Sequence, residues 1–319
     1  IGTFMGGTAG DLVYAVGKVA AALTGAGIGV GVARKLEAGQ LVTVSAATAG
    51  MAGAFAGKLL AGHVIQDGAM AFAGPGEPLG AFVAAYIAIE FGILISGKTK
   101  LDIILTPLVC IGTGSAVGLF LGPPISRFMN WLGSLIHWGT EQPPFLMGIV
   151  VSVLMGMILT LPISSAALGV ILNLSGLAAG AATVGCCCNM IGFAVASFRE
   201  NKWGGLFAQG IGTSMLQMGN IVKNPRIWLP ATLASAITGP IATCLFHLQM
   251  NGAAVSSGMG TCGLVRQIGV YTGWIADIEA GSKAAITPMD WIGLLFVSFL
   301  LQGGLSWLFS VLFRQNGRI

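Results

Sequence analysis

Five stretches of the chain run for about twenty residues or more without an Asp, Glu, Lys or Arg: 38–57, 103–126, 142–198, 227–265 and 291–313. A helix crosses about 30 Å of hydrocarbon with about 20 apolar residues. The runs therefore predict seven or so crossings, and weaker apolar segments between them raise the expectation to eight to ten. Strands of a membrane barrel alternate polar and apolar positions in pieces of about 10 residues. These runs are instead continuous and rich in Ala, Leu and Gly, which predicts helices. The expected fold is an all-α polytopic membrane protein, one membrane domain over 1–319 with no soluble appendage longer than a loop. No basic n-region with a short apolar core and cleavage site is read as a signal peptide.

The longest run holds 57 residues, 142–198. As one helix it would extend about 85 Å, nearly three bilayers, so it has to turn back on itself. The break is expected at "LTLPISSAALG", 159–169, where Pro162 cannot donate a backbone N–H and Ser164 and Ser165 can satisfy freed backbone groups. A re-entrant hairpin whose irregular backbone lines a cavity and a simple proline kink both fit this pattern. Just upstream, "NWLGSLIHW" (130–138) reads as a short amphipathic piece, with Trp131 and Trp138 suited to the membrane interface.

Composition agrees with the pattern: 55% of residues are hydrophobic and 8% charged, against about 25% charged in soluble domains. Mean hydropathy is +0.87. Gly supplies 50 of 319 residues, more than twice the usual share of about 7%, which suits closely packed membrane helices and broken backbone. The net charge of +4 provides no basic face for nucleic acid. Its positives, Arg34/Lys35, Lys98/Lys100, Arg199/Lys202, Lys223/Arg226 and Arg314/Arg318, lie between apolar runs as in cytoplasmic loops, and Arg127 and Arg266 fall outside that pattern.

Candidate chemistry sits in the few ionisable groups near apolar segments, because such groups are costly there and mark pathways or pairs. Glu141 lies in "GTEQPP", Glu77 in "GPGEPLG", and His63 and Asp67 in "AGHVIQDG". The two Glu turns echo one another, each with Gly before the Glu and Pro after it. A carboxylate at a dry cavity accepts from adjacent hydroxyls, which fits a polyol; proton handling and a plain loop role also fit Glu141, and a loop role fits Glu77. His137 stands four residues before Glu141 and would share its helix face. His247 reads as an interfacial histidine.

A second cluster, "FAQGIGTSMLQMGNIVKNPRIWLP" (207–230), offers uncharged donors and acceptors. Gln209, Thr213 and Gln217 at i, i+4 and i+8 would stripe one helix face, with Ser214 and Asn220 beside them. Hydroxyl binding and helix–helix hydrogen bonding fit equally. The thiols of "GCCCNM" (Cys186–Cys188) diverge by about 100° per residue on a helix and lack metal-ligand spacing; they read as buried small hydrophobes. "SSGMGTCGLVRQ" (256–267) lacks the spacing of a P-loop. No nucleophile elbow, zinc signature or dinucleotide fingerprint is present, so no catalytic residue, metal or cofactor is expected in this chain.

Four phrases carry a resemblance: "KTKLDIILTPLVCIGTGSAVGLFLGPPISRFMNWLGSLI" (98–136), "GTEQPPFLMGIVVSVLMGMILTLPISSAALG" (139–169), "SFRENKWGGLFAQGIGTSMLQMGNIVKNPRIWLP" (197–230) and "GMGTCGLVRQIG" (258–269). They resemble enzyme IIC membrane components of the bacterial phosphotransferase system, in the branch that includes membrane proteins described as regulators of toxin production. The resemblance implies a homodimer in the bacterial cell membrane, binding a sugar between a scaffold and a moving domain with re-entrant hairpins. It also implies a separate IIB subunit, whose phosphocysteine phosphorylates the sugar at the cytoplasmic face, and a IIA protein behind it. Glu141 then matches the Glu of the family's Gly-x-x-Glu-Pro turn, with Gln142 intervening before Pro143, and "LPISSA" matches a hairpin tip in the same cavity. No IIA or IIB domain is read in the chain itself. The leading expectation is a sugar permease with alternating access. The alternative is a ligand-sensing regulator or ion-coupled carrier of the same fold, without group translocation.

Overall fold

A computed structural model describes residues 2–63, 65–66, 69–70 and 74–316. Asp67, paired with His63 in the sequence reading, lies outside the described residues. The chain folds as two compact units, Ile1–Asn130 and Trp131–Ile319.

In the first unit, α1 (Gly2–Met5) and α2 (Gly7–Ala22) lead into α3 (Thr24–Lys35), which is bent from α2 by 50°. After α4 (Gln40–Ala54) and the short α5 (Ala56–Leu60), a two-residue antiparallel pair, β1 (Ile65–Gln66) with β2 (Ala69–Met70), precedes α6 (Pro78–Ile95). The core between α3, α4 and α6, joined by Cys110 of the helix that follows, is built mostly from small side chains: Ala33, Val42, Ala46, Ala49, Ala88, Ile89 and Cys110 are all buried. In lipid there is little hydrophobic drive between helices, so close backbone approach has to supply the packing. Then comes α7 (Asp102–Thr140), 39 residues long with Pro107, Pro123 and Pro124 inside it. The boundary between the units falls within this helix. The separate interfacial piece expected at 130–138 is therefore absent as such: it is the continuous C-terminal part of α7, with Trp131 and Trp138 exposed on it. Prolines break helices in water, but membrane helices tolerate them where neighbours re-satisfy the freed carbonyls.

The second unit contains the uncharged run. It forms α8 (Pro144–Thr160), a break, the seven-residue α9 (Ser165–Ile171), and α10 (Gly176–Ala196). Pro162 stands in the break; Ser164 caps α9 by accepting from the Ala167 N–H (3.2 Å), and the Ser165 hydroxyl donates to the Gly258 carbonyl (2.7 Å). Beyond α11 (Phe198–Phe207) the backbone is irregular: a π turn at Ala208–Gly212, extended Thr213, a 3₁₀ turn at Ser214–Gln217, and the short α12 (Met218–Lys223). A 3₁₀ turn (Pro225–Trp228), α13 (Leu229–Pro240) and a π turn (Ile241–Leu245) make one apolar span. Short 3₁₀ turns at Ala254–Gly258 and Cys262–Leu264 lead to α14 (Val265–Glu279). The last span is α15 (Pro288–Leu295), a π turn (Phe296–Leu300) and α16 (Leu301–Gln315).

The described residues thus form an all-α membrane architecture, apart from the two-residue strand pair. Among the described residues five helices are long and apolar enough to cross a membrane, or six with the bent α2–α3 pair counted as one span. This is fewer than the eight to ten expected, because stretches such as 142–160, 165–171 and 254–264 are short or broken. The closest packing joins α8 to α10. A Cβ built on Gly185 would lie 1.7 Å from the Ser152 carbonyl oxygen, with no flexible side chain able to yield. Gly112 in α7 has open space around it. Gly185→Ala is expected to destabilise by about 3 kcal/mol or more, whereas Gly112→Ala is neutral or stabilising by up to about 1 kcal/mol; thermal unfolding in detergent measures both.

Candidate functional site

The site is built where the irregular segment 208–217 meets the ends of α10 and α16. α11 begins with "FREN", and Arg314 in the last turn of α16 reaches across to it. Its Nη1 donates to Glu200 Oε1 at 2.7 Å, and its Nη2 donates to Glu200 Oε2 at 3.3 Å and to the Ala196 carbonyl at 2.9 Å. This two-pronged pairing holds the Glu200 carboxyl below its ordinary range, the hydrogen bonds from Arg314 being the largest cause. The Glu200 side chain still keeps about half its surface exposed, so it remains open to a ligand.

Behind this pair runs a chain of carboxamides. Gln209 Nε2 donates to Ser197 Oγ (3.0 Å), Gln217 Nε2 to Gln209 Oε1 (2.8 Å), and Asn220 Nδ2 to Gln217 Oε1 (2.8 Å). Gln209 and Gln217 are buried while Asn220 is exposed. The chain orients the two glutamine amides, because each glutamine oxygen accepts a hydrogen bond from the next residue along. A cavity of about 410 Å³ opens here, lined by Ser197, Glu200, Asn201, Gln217, Asn220 and Arg314 together with Phe193, Ala196, Ile227, Pro230 and Ser310. It offers a carboxylate, a guanidinium and several amides against an apolar wall, a donor and acceptor set suited to a polyhydroxylated molecule.

The helical stripe expected for Gln209, Thr213 and Gln217 is not how these residues meet. The helix is broken at Thr213, whose backbone is extended and whose hydroxyl accepts from the Met215 N–H (3.2 Å). The π turn before it and the 3₁₀ turn after it fold the segment so that Gln209 and Gln217 still touch, while Thr213 serves as a cap. A buried network anchors the broken segment. Asn189 Oδ1 accepts from Thr160 Oγ1 (3.3 Å) and Trp228 Nε1 (3.2 Å), Thr160 and Ser214 share a hydrogen bond of 3.1 Å, and Thr261 donates to the Gly210 carbonyl at 2.5 Å.

None of the other sequence candidates lines this cavity. Glu141 lies in the exposed turn after α7, with its Oε1 3.5 Å from His137 Nε2 and both side chains about two-thirds exposed. The helix runs unbroken through Gly139, so the two do share a face; exposed pairs of this kind contribute little. Pro162 and Ser164 occupy the α8–α9 break and Ser165 opens α9, with both hydroxyls engaged with backbone. In the first unit, Glu77 is partly buried at the start of α6, its N–H donating to the Ala54 carbonyl (2.8 Å), and His63 is exposed in a turn. His247 has a left-handed backbone and lines a second cavity of about 420 Å³ with Asn251, Trp274, Asp277, Lys283 and Asp290. Its charges are already engaged: Asp277 accepts from Asn251 at 3.0 and 3.2 Å, and Lys283 pairs with Asp290 at 2.9 Å.

The thiols of Cys186, Cys187 and Cys188 meet three different sets of neighbours: Met155 and Ser257 carbonyls, Arg266, and Thr238. Among the described residues no three His, Cys, Asp or Glu side chains converge as a metal site would need. Sequence reasoning passed over Glu200, Arg314 and Asn189. The last carried a signal, as the one amide side chain in the 21 residues of α10. The partnership of Glu200 with Arg314, 114 residues apart, carried none. Asn189→Leu removes the acceptor shared by Thr160 and Trp228; the expected loss is about 1–3 kcal/mol of stability, read by thermal unfolding.

No curated protein and no solved structure matches the chain. One family does, described as "Phosphotransferase system, EIIC", and its match runs over residues 1–319. With the multi-pass helical architecture and the polar cavity described above, that full-length match places the chain in the phosphotransferase system EIIC family of membrane permease components.

Proposed function

We propose that the protein is the membrane permease of a phosphoenolpyruvate-dependent sugar phosphotransferase system, and that the cavity lined by Glu200, Gln217, Asn220 and Arg314 binds the sugar. The carrying observation is the ordered amide chain lining one cavity with the Glu200 carboxylate. Hydroxyls need acceptors and donors at fixed positions, and the Gln209–Gln217–Asn220 chain pre-orients them, so little ordering cost remains for the bound state. Glu200, held ionised by Arg314, suits accepting hydroxyl hydrogens better than carrying a proton. In this proposal Glu141 and the Pro162–Ser165 segment serve transport within the second unit, and Glu77 and His63 within the first, rather than gripping the sugar.

Arg199, Lys202, Lys223, Arg226 and Arg314 cluster in sequence around the segments that form this cavity, and the positive-inside rule favours its opening to the cytoplasm. That is the side from which a phosphoryl donor would approach. In this proposal the phosphoryl group comes from the phosphocysteine of a separate IIB protein recharged by IIA. The S–P bond of the donor breaks as an O–P bond to a sugar hydroxyl forms, and the hydroxyl proton passes to solvent or a nearby base. A homodimer in the bacterial cell membrane belongs to the same proposal.

Membrane vesicles containing the protein are expected to accumulate labelled sugar as its phosphate only when phosphoenolpyruvate and the soluble phosphotransfer proteins are supplied. Unmodified sugar entering equally fast without them would replace this reading with that of an ion-coupled carrier. Glu200→Gln is expected to weaken sugar binding about 10- to 100-fold, and Gln217→Ala or Asn220→Ala about 10-fold, by calorimetry on purified protein. Because pairing with Arg314 lowers the carboxyl's pKa, the contribution of ionised Glu200 persists as pH falls through the ordinary glutamate value of about 4.3 and is lost only below it. In Arg314→Met the loss moves up into that ordinary range.

A further inference from the structure

Arg266 is the largest fully buried side chain of the described residues, with no exposed surface. Its Nη1 donates to the Ser298 hydroxyl and to Cys187 Sγ (3.4 Å). Among the described residues its Nε and Nη2 have no partner, and no carboxylate stands within 4.0 Å of it. The residue sits in the first turn of α14, whose aligned peptide dipoles place a partial positive charge at that end. A buried cation at the positive end of a helix, without an anion beside it, is unfavourable by several kcal/mol in general. Leaving it so makes sense only if a negative group comes to it.

The shape of the vacant edge narrows that group. Nε–H and Nη2–H point the same way from one side of the planar guanidinium, the two-pronged edge that matches both oxygens of a carboxylate or two oxygens of a phosphate. Buried polar side chains continue from it along the last span. Ser298, which touches Arg266, begins a stripe at four-residue intervals along the last span: Ser298, Gln302, Ser306 and Ser310, all buried. Ser310 lines the cavity of Glu200 and Arg314. Between them, Gln302 Oε1 and Ser306 Oγ are buried without partners. Unsatisfied polar atoms along one buried face are costly unless water or a ligand visits them.

We propose that Arg266 is the recognition group of an oxyanion site inside the second unit, taking a carboxylate or phosphate group on its Nε–Nη2 edge. The inference stands apart from phosphotransfer, since anion binding is read without any phosphoryl donor. Purified protein in detergent would be melted with gluconate, inorganic phosphate, glucose 6-phosphate and chloride at matched ionic strength. At least one oxyanion is expected to raise the melting temperature by about 5 °C at a hundredfold excess over its dissociation constant, with no such rise in chloride. A response to gluconate alone identifies a carboxylate ligand; a response to both phosphates and not to gluconate identifies a phosphoryl group.

Arg266→Met replaces the cation with an apolar chain of similar length. It is expected to abolish the response and to melt no lower than wild type without anion, because exchanging a buried ionic group for a hydrophobe is often neutral or stabilising. The proposal is overturned if no oxyanion shifts the wild type beyond chloride, or if Arg266→Met keeps the response. It is equally overturned if Arg266→Met fails to fold or melts well below wild type in the absence of anion, since the guanidinium would then be a structural group.

Discussion

Every backbone N–H and C=O inside hydrocarbon needs a partner within the protein, and the second unit depends on meeting that constraint away from regular helix. Its broken segments persist because side chains replace the lost ladder bonds. Ser164 caps α9, Ser165 holds the Gly258 carbonyl, Thr261 holds the Gly210 carbonyl, and Thr213 and Asn224 accept from the N–H groups two residues beyond them. Without these contacts the 161–164 and 208–217 breaks would expose unpaired polar groups. With them, the chain can turn inside the bundle and present amides to a cavity. The candidate site is thus a by-product of solving the backbone problem with Ser, Thr, Asn and Gln.

The same economy explains the glycines. In α8 and α10 the backbones approach so closely that the Ser152 carbonyl lies where a Cβ of Gly185 would stand. This contact sets the spacing within which Thr160 of α8 reaches Asn189 of α10. Asn189 then receives Trp228, and Thr160 meets Ser214. Small residues give the approach, the approach gives the hydrogen bonds, and the hydrogen bonds hold the irregular segment that carries Gln209 and Gln217.

Charge-free runs and proline positions were enough to read the membrane class, the fold-back of 142–198 and its break at Pro162, because hydrocarbon imposes length and apolarity on sequence directly. The polar segment 207–230 was also visible, since amides are rare among such neighbours. Its geometry was not: periodicity predicts a helical stripe, and nothing in i, i+4 spacing shows that Thr213 is extended. The pairing of Glu200 with Arg314 was hidden for a different reason. It depends on where α10 and α16 end relative to each other, a tertiary fact that no local pattern carries. Glu141 drew attention because it borders an uncharged run, yet adjacency in sequence to apolar residues is a weak sign of burial at a helix end, and the turn leaves it exposed.

The two arginines at either end of the Ser298–Ser310 stripe show how one residue type serves opposite ends. Arg314 stands four residues past Ser310, at the end of the last span, with both prongs on Glu200 and a further bond to a carbonyl. Its charge is compensated where water and ligand can reach it, so it tunes the carboxylate without cost to the bundle. Arg266 lies at the other end of the stripe, where a low dielectric strengthens any attraction and magnifies the penalty for lacking one. Here a cysteine and a serine take only one of its three nitrogens. A protein that needed only packing at this place could use Met or Leu. A guanidinium with its two-donor edge vacant costs more than either, and an anion on that edge would offset the difference.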